Sequence, residues 1–312
     1  MQKFGFVFPG QGSQKLGMLS ELAARSPVIQ ATFQEASEVL EQDLWEICQQ
    51  DKGNILDQTH ITQPALLTAS VAVWRLWDEL TPLKPSILAG HSLGEYSALV
   101  CANAISFQDA ISIVHHRGQY MQAAVPTGEG KMAAIVGLEN YQIDEICDDA
   151  EEHGVVSAAN FNSPGQTVIA GEAGAVDKAI DLCKEAGAKR ALPLNVSVPS
   201  HCALMKPAAD QLREKLDEIT INAPSVAVIQ NVNAQICEDP DKIKQNLVKQ
   251  LYAPVLWVDC VQLIYKEAVS KVVECGPGKV LSGLIRRIEP EIKCFGSDDA
   301  ASIDSAIAEM SA

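Results

Sequence analysis

Ile87-Leu88-Ala89-Gly90-His91-Ser92-Leu93-Gly94 reads as a short buried strand that turns, at a glycine-flanked serine, into a helix running through Ala102. A brief apolar run closed by glycine fits a strand covered on both faces. Gly90 to Gly94 also matches G-x-S-x-G, a pattern that carries meaning only between a strand and a helix. So sharp a turn forces strained backbone angles on Ser92 and brings backbone segments together, so a Cβ on either flank would clash. It also sets the hydroxyl beside a helix N-terminus, where unpaired N–H groups favour negative charge. Ser92 is the candidate nucleophile, against the alternative of an ordinary glycine-rich turn.

The same strand, glycine loop and helix recur on either side. Phe4 to Phe8 runs into Pro9-Gly10-Gln11-Gly12-Ser13-Gln14 and a helical stretch, and Val272-Val273-Glu274 runs into Gly276-Pro277-Gly278 and a helix to about Ile288. Units of this kind build a parallel sheet flanked by helices. Met132 to Asn195 follows another order: strand (132–136), helix (143–153), strand (155–161), strand (167–170), helix (175–186), strand (190–194). That is the βαββαβ order of a ferredoxin-like module. It begins after Pro126-Thr127-Gly128-Glu129-Gly130 and ends among Pro193 and Pro199. The expected fold is therefore α/β, with a large parallel-sheet domain (1–126 and 198–312) and an inserted ferredoxin-like subdomain (127–197), with a cleft between them.

Composition narrows the function. With 312 residues and 47% hydrophobic content the chain can bury a large core. The apolar start, Phe4 to Phe8, is too short for a signal-peptide core, and no stretch approaches a membrane span. Nine cysteines, an odd number with no C-x-x-C pair, fit reduced thiols in the cytosol rather than disulfides or zinc. A net charge of −16 argues against nucleic acid as a partner. An acidic partner would need a local basic patch, for which Lys184 with Lys189-Arg190, and Arg286-Arg287 with Lys279, are candidates against the plainer reading of solvated surface charge.

A serine hydroxyl needs a base, and six histidines are available. His91 lies inside the turn and points away from the hydroxyl. His115 and His116 sit mid-helix, His153 precedes Gly154 at a helix end, and His60 stands in a loop or helix start. His201, in Val198-Pro199-Ser200-His201-Cys202, emerges after the insert where the cleft should be. Its other ring nitrogen needs an acceptor, either one of the many carboxylates or a backbone carbonyl. A helix that must stop before Pro254 leaves carbonyls around Gln250 without partners.

Acyl transfer also needs two N–H donors for a tetrahedral oxyanion. Leu93 supplies one, and Gln11, between Gly10 and Gly12, can supply the second. The Gln11 loop fails as a phosphate cradle, because Met18 stands where a Walker lysine is required and Lys15 where G-x-G-x-x-G needs its third glycine. Arg117 falls on the apolar stripe Ala110, Ile113, Val114, Met121 of its helix. A guanidinium facing a core needs an anion, either an internal Asp or Glu or a substrate carboxylate gripped by its planar fork.

Taken together, Phe8 to Gln14, Gly90 to Leu99, Asn160-Phe161-Asn162-Ser163-Pro164-Gly165-Gln166, Pro199-Ser200-His201 and Glu274 to Lys279 resemble the malonyl-CoA:acyl carrier protein transacylases of bacterial type II fatty acid synthesis, in order and spacing over nearly the whole chain. The resemblance implies a large α/β-hydrolase-like domain with a ferredoxin-like insert. It implies Ser92 as acyl carrier, His201 as base, Gln11 and Leu93 N–H as oxyanion hole, Arg117 as malonyl anchor and the Gln250 carbonyl as the group orienting His201. It further implies malonyl-CoA and acyl carrier protein as partners and no metal or bound cofactor. The chain is expected to be a monomer, in the cytoplasm as its cysteines suggest. Pro199-Ser200 stands where related modular synthases that select malonyl often carry Ala-Phe, so this motif implies nothing about methylmalonyl. A thioesterase with the same turn, or a binding module that has lost its chemistry, are the competing readings.

Overall fold

Phe6 and Phe8 fall in one buried cluster and Val7, between them, in another. Alternation along a strand sends neighbours to opposite faces, and both faces of this sheet are covered. The computed structural model describes residues 3–194, 196 and 198–311. Met1, Gln2 and Ala312, at the ends of the expected large domain, and Asn195 and Ser197, at the end of the expected insert, lie outside the described residues.

In chain order, β1 (Gly5–Phe8) leads to α1 (Ser20–Arg25), α2 (Pro27–Leu40), α3 (Leu44–Gln50) and α4 (Thr59–Leu80). Next come β2 (Ile87–Gly90), α5 (Gly94–Cys101) and α6 (Phe107–Ala124). The middle of the chain forms β3 (Gly130–Val136), α7 (Asn140–Ala150), β4 (Val156–Ser163), β5 (Gln166–Glu172), α8 (Ala173–Glu185) and β6 (Arg190–Pro193). The remainder is α9 (Lys206–Asp217), β7 (Ala227–Gln230), β8 (Gln235–Ile236), α10 (Pro240–Gln250), α11 (Trp257–Lys266), β9 (Lys271–Glu274), α12 (Val280–Ile288), β10 (Lys293–Phe295) and α13 (Ala300–Ser311).

The larger sheet has six strands in the order β10-β9-β1-β2-β7-β8. All its pairings are parallel except the edge hairpin β7-β8, which the sequence reading did not anticipate. One face packs on α11 and α12 through Trp257, Val261 and Leu284, and the other on α5 and on α4, whose Trp74 and Trp77 meet Phe6. The first loop holds turns rather than helix until Ser20. The smaller sheet is antiparallel, β4-β5-β3-β6, as a βαββαβ unit requires.

Alternation in the smaller sheet explains the cleft. Ala133, Ile135 and Ile169 point to α7 and α8, while Met132, Val168 and Ala170 point the other way and meet Cys202, next to His201. The smaller sheet is tied to the segment between α10 and α11 where β4 bulges: Val255 N–H donates to the Ala159 carbonyl at 2.9 Å and Phe161 N–H to the Val255 carbonyl at 3.0 Å. Among the described residues no helix is long and apolar enough to cross a membrane.

Candidate active site

Strand β2 ends at Gly90 and α5 begins at Gly94, leaving Ser92 in a left-handed conformation with φ +52°. For a residue with a side chain that conformation costs roughly 1–3 kcal/mol and persists only where surroundings impose it. Here they do. Ser92 N–H donates to Asn231 Oδ1 at 2.7 Å, Asn231 Nδ2 donates to the Gly90 carbonyl at 2.7 Å, and Gln250 Nε2 donates to the Ser92 carbonyl at 3.1 Å. Glycine is required because the first loop crosses so closely: a Cβ on Gly94 would lie 2.1 Å from the Phe8 carbonyl oxygen, and one on Gly10 2.5 Å from that of His91. These approaches bring the Gln11 loop beside the serine. Neither Gln11 N–H nor Leu93 N–H meets an acceptor among the described residues.

His201 Nε2 lies 2.8 Å from Ser92 Oγ. On its far side Nδ1 lies 2.6 Å from the Gln250 carbonyl, the end of α10, and the His201 N–H donates to the next carbonyl, Leu251, at 2.9 Å. A carbonyl only accepts, so Nδ1 carries the proton and Nε2 presents its lone pair to the serine hydroxyl. These paired bonds also hold His201 at φ +63°. Burial, with the nearby Arg117 cation, pushes the imidazole down to about 3, so the ring is neutral and its Nε2 lone pair is free. Of the two candidate acceptor types, the backbone carbonyl is the one in place.

Arg117 is 1% exposed. Its Nη1 donates to Gln63 Oε1 at 2.7 Å and its Nη2 to Gln250 Oε1 at 3.1 Å and Ser92 Oγ at 3.3 Å, while Nε has no partner among the described residues. The guanidinium carbon stands 5.5 Å from the Tyr96 ring centre. No ion pair joins Arg117 among the described residues, so the internal Asp or Glu partner weighed from sequence is not made. A buried cation held by neutral amides leaves its charge uncompensated, and an anion beside the Ser92 hydroxyl could balance it.

The groups open on a cavity of about 550 Å³ between the two sheets. Ser92, Arg117 and His201 line its inner end, exposed Gln11 borders it, and Leu194, Val196 and Val280 form an apolar mouth. Every residue singled out as a site candidate in the sequence borders this cavity except Gln250, which acts from behind His201. His91 borders it as well, but its ring turns to Asn162 Oδ1 at 2.8 Å. Sequence reasoning missed Gln63, Asn231 and Glu95. Only Glu95 left a trace, a carboxylate in an otherwise uncharged helix, Gly94 to Cys101. Among the basic candidates, Lys184 is paired with Asp181, and Arg287 donates to Gln166 Oε1. No group of three or more His, Cys, Asp or Glu side chains able to hold a metal occurs among the described residues.

Comparison with known proteins agrees with this geometry. Residues 5–287 match the acyl transferase domain family. The malonyl CoA-acyl carrier protein transacylase of Haemophilus influenzae is 54% identical over 306 residues, 98% of either chain. The crystal structure of an acyl carrier protein S-malonyltransferase from Vibrio cholerae superposes with a TM-score of 0.96 at 56% identity, covering 97% of this chain and 99% of that one. A malonyl-transacylase solved in complex with a type II polyketide acyl-carrier protein superposes with a TM-score of 0.97 at 52% identity, covering 99% and 100%. The chain belongs to the acyl transferase domain family, among its malonyl CoA-acyl carrier protein transacylases.

Proposed function

We propose that the chain transfers malonyl from coenzyme A to acyl carrier protein through an ester on Ser92. His201 Nε2 takes the hydroxyl proton as Ser92 Oγ attacks the thioester carbonyl. The carbonyl oxygen becomes an oxyanion between Gln11 N–H and Leu93 N–H, donors each worth on the order of a hundredfold in rate. The C–S bond breaks, coenzyme A leaves with the proton from His201, and the malonyl group stays on Ser92. The pantetheine thiol of carrier protein then gives its proton to His201, attacks the ester, and releases Ser92 Oγ, which recovers the proton. Arg117 holds the malonyl carboxylate throughout, and the Gln250 carbonyl keeps His201 in the reactive tautomer.

The observation that carries this reading is the Arg117 guanidinium, buried among neutral partners 3.3 Å from the nucleophile. Nucleophile, base, oxyanion donors and anchor all come from the chain itself, so the reading calls for no bound cofactor. Malonyl-CoA and coenzyme A are substrate and product. Segment 127–197 acts as an inserted subdomain forming one wall of the cavity, and the enzyme works as a cytoplasmic monomer.

Intact-mass analysis tests the proposal. Incubation with malonyl-CoA should add one malonyl group to the wild-type chain and none to Ser92→Ala, and full labelling of that variant would reject Ser92. Arg117→Ala should lose malonyl loading far more than acetyl loading, and equal losses would reject the anchor.

A further inference from the structure

Glu95 takes no part in the transfer just derived, yet it is 1% exposed and stands directly behind the anchor. Its Oε2 accepts from Asn231 N–H at 2.9 Å and from Gln250 Nε2 at 2.8 Å, whereas buried Oε1 has no partner among the described residues. The Gln250 amide can lie only one way. Its Nε2 faces three acceptors, Ser92 O, Glu95 Oε2 and Asn231 Oδ1, which turns Oε1 to Arg117. One neutral amide therefore separates the cation from the carboxylate.

Nothing else nearby balances charge. Strands β1, β2 and β7, which pack on α5, carry no titratable side chain. Helix α4 brings His60, Arg75, Asp78 and Glu79, which bond instead to Gln122, Glu35, Lys84 and Ser26. On α6, Arg117 alone turns inward, while Asp109, His115 and His116 bond to Ser106, the His60 carbonyl and the Ser112 carbonyl. Tyr96 and Cys260 adjoin Glu95, and burial keeps both neutral, Tyr96 being pushed up to about 12. Without substrate the enclosed site holds one cation and one anion. A substrate carboxylate on Arg117 would make that one cation and two anions away from water.

We propose that Glu95 is a selectivity-determining residue that takes up one proton when a carboxylated acyl group occupies Arg117, so that malonyl binding, unlike acetyl binding, is coupled to proton uptake. The unpartnered Oε1 is the atom free to receive it. Burial already pushes the Glu95 carboxyl up to about 7, where a second negative charge tips it into the neutral form. This rests on Arg117 as the malonyl anchor.

The test uses Ser92→Ala, which cannot be acylated, titrated with malonyl-CoA and with acetyl-CoA. Relative to acetyl-CoA, malonyl-CoA should weaken by up to about tenfold per pH unit as pH rises above about 7. The coenzyme phosphates are common to both thioesters and cancel, and His201, pushed down to about 3, does not titrate there. Calorimetry in two buffers of different ionisation enthalpy should count proton uptake with malonyl-CoA that approaches one about a pH unit above that value, and none with acetyl-CoA. Adding Glu95→Gln should make the malonyl-to-acetyl ratio independent of pH. A slope that survives Glu95→Gln, or no proton uptake in the Ser92→Ala protein, overturns the proposal, and the proton count decides it if the double variant does not fold. A malonyl preference that is constant with pH sinks the Glu95 role alone. No preference at any pH sinks the Arg117 reading and this proposal with it.

Discussion

Asn231→Ala should cost both stability and acylation, because one side chain holds two ends of the serine turn. Its Oδ1 accepts from Ser92 N–H and its Nδ2 donates to the Gly90 carbonyl, both at 2.7 Å, in a residue with no exposed surface. Truncation leaves a buried donor and a buried acceptor unmatched, at about 1–3 kcal/mol each, so the loss should be about 2–6 kcal/mol. For a chain of this length that corresponds to a fall in melting temperature of roughly 3–9 °C. The same bonds hold Ser92 at φ +52°, and without them the backbone can relax toward an ordinary conformation. A shift of Oγ by about 1 Å from its place 2.8 Å from His201 Nε2 costs on the order of a hundredfold in rate. Asn231→Asp should not rescue either property, since a carboxylate cannot donate to the Gly90 carbonyl and would face Glu95. Thermal unfolding and stopped-flow acylation with malonyl-CoA measure the two effects. A stability change within the roughly 0.5 kcal/mol of a neutral surface substitution, with acylation unaltered, would refute the reasoning.

Gly94→Ala should lower the melting temperature and slow acylation together, because its Cβ would press on the Phe8 carbonyl oxygen at 2.1 Å and push the Gln11 loop off the elbow. A variant with wild-type acylation would show that the loops need not approach so closely. Acidification should weaken the wild-type fold more than that of His201→Gln. The folded-state value is about 3 against an ordinary 6.5, so as pH falls below about 6.5 the unfolded chain takes up a proton that the folded one refuses, and stability declines toward pH 3. Urea titrations of both proteins through that window read the difference, and parallel curves would count against a buried neutral ring. Glu274→Ala should raise KM for malonyl-CoA, because this carboxylate accepts from Leu281 N–H at 2.9 Å and Ser282 N–H at 2.8 Å and so fixes the start of α12, whose Val280, Leu281 and Leu284 line the cavity. An unchanged KM would show that α12 keeps its place without that cap.

The sequence made the serine legible because a tight turn imposes glycines that nothing else requires, and Gly10, Gly90 and Gly94 all meet backbone atoms in the fold. His201 stands out by elimination, and the helix stop before Pro254, a rule of backbone satisfaction that needs no tertiary knowledge, offers carbonyls around Gln250 as one alternative beside the many carboxylates. The antiparallel edge strand β8 escaped notice because two residues carry no periodicity. Gln63 and Asn231 escaped for a different reason. An amide is an ordinary surface residue until the fold supplies a buried donor and acceptor on either side of it, and those partners sit 54 and 139 residues away in the chain. Arg117 was visible as a charge on an apolar stripe, but its helix said nothing about whether a carboxylate waited opposite.

That last point decides what kind of site this is. Had Glu95 reached Arg117 directly, the cation would be neutralised before substrate arrived, and a second carboxylate would have to displace the first or share the fork with it. Gln63 and Gln250 instead give the guanidinium two amide oxygens, which fix its plane without cancelling its charge. At about 4 Å and an effective dielectric constant near 20, a substrate carboxylate is drawn to such a cation by about 4 kcal/mol, an attraction that offsets the cost of leaving water and that an acyl group without a charge lacks. Selectivity for a carboxylated chain thus needs no snug walls, and a cavity of about 550 Å³ with an apolar mouth can admit the long pantetheine arm of either thioester donor or carrier. The same Gln250 side chain braces the Ser92 carbonyl, and its own backbone carbonyl holds His201. Arg117, Ser92 and His201 are therefore all held by one residue at the end of one helix, so a displacement of α10 would move all three at once.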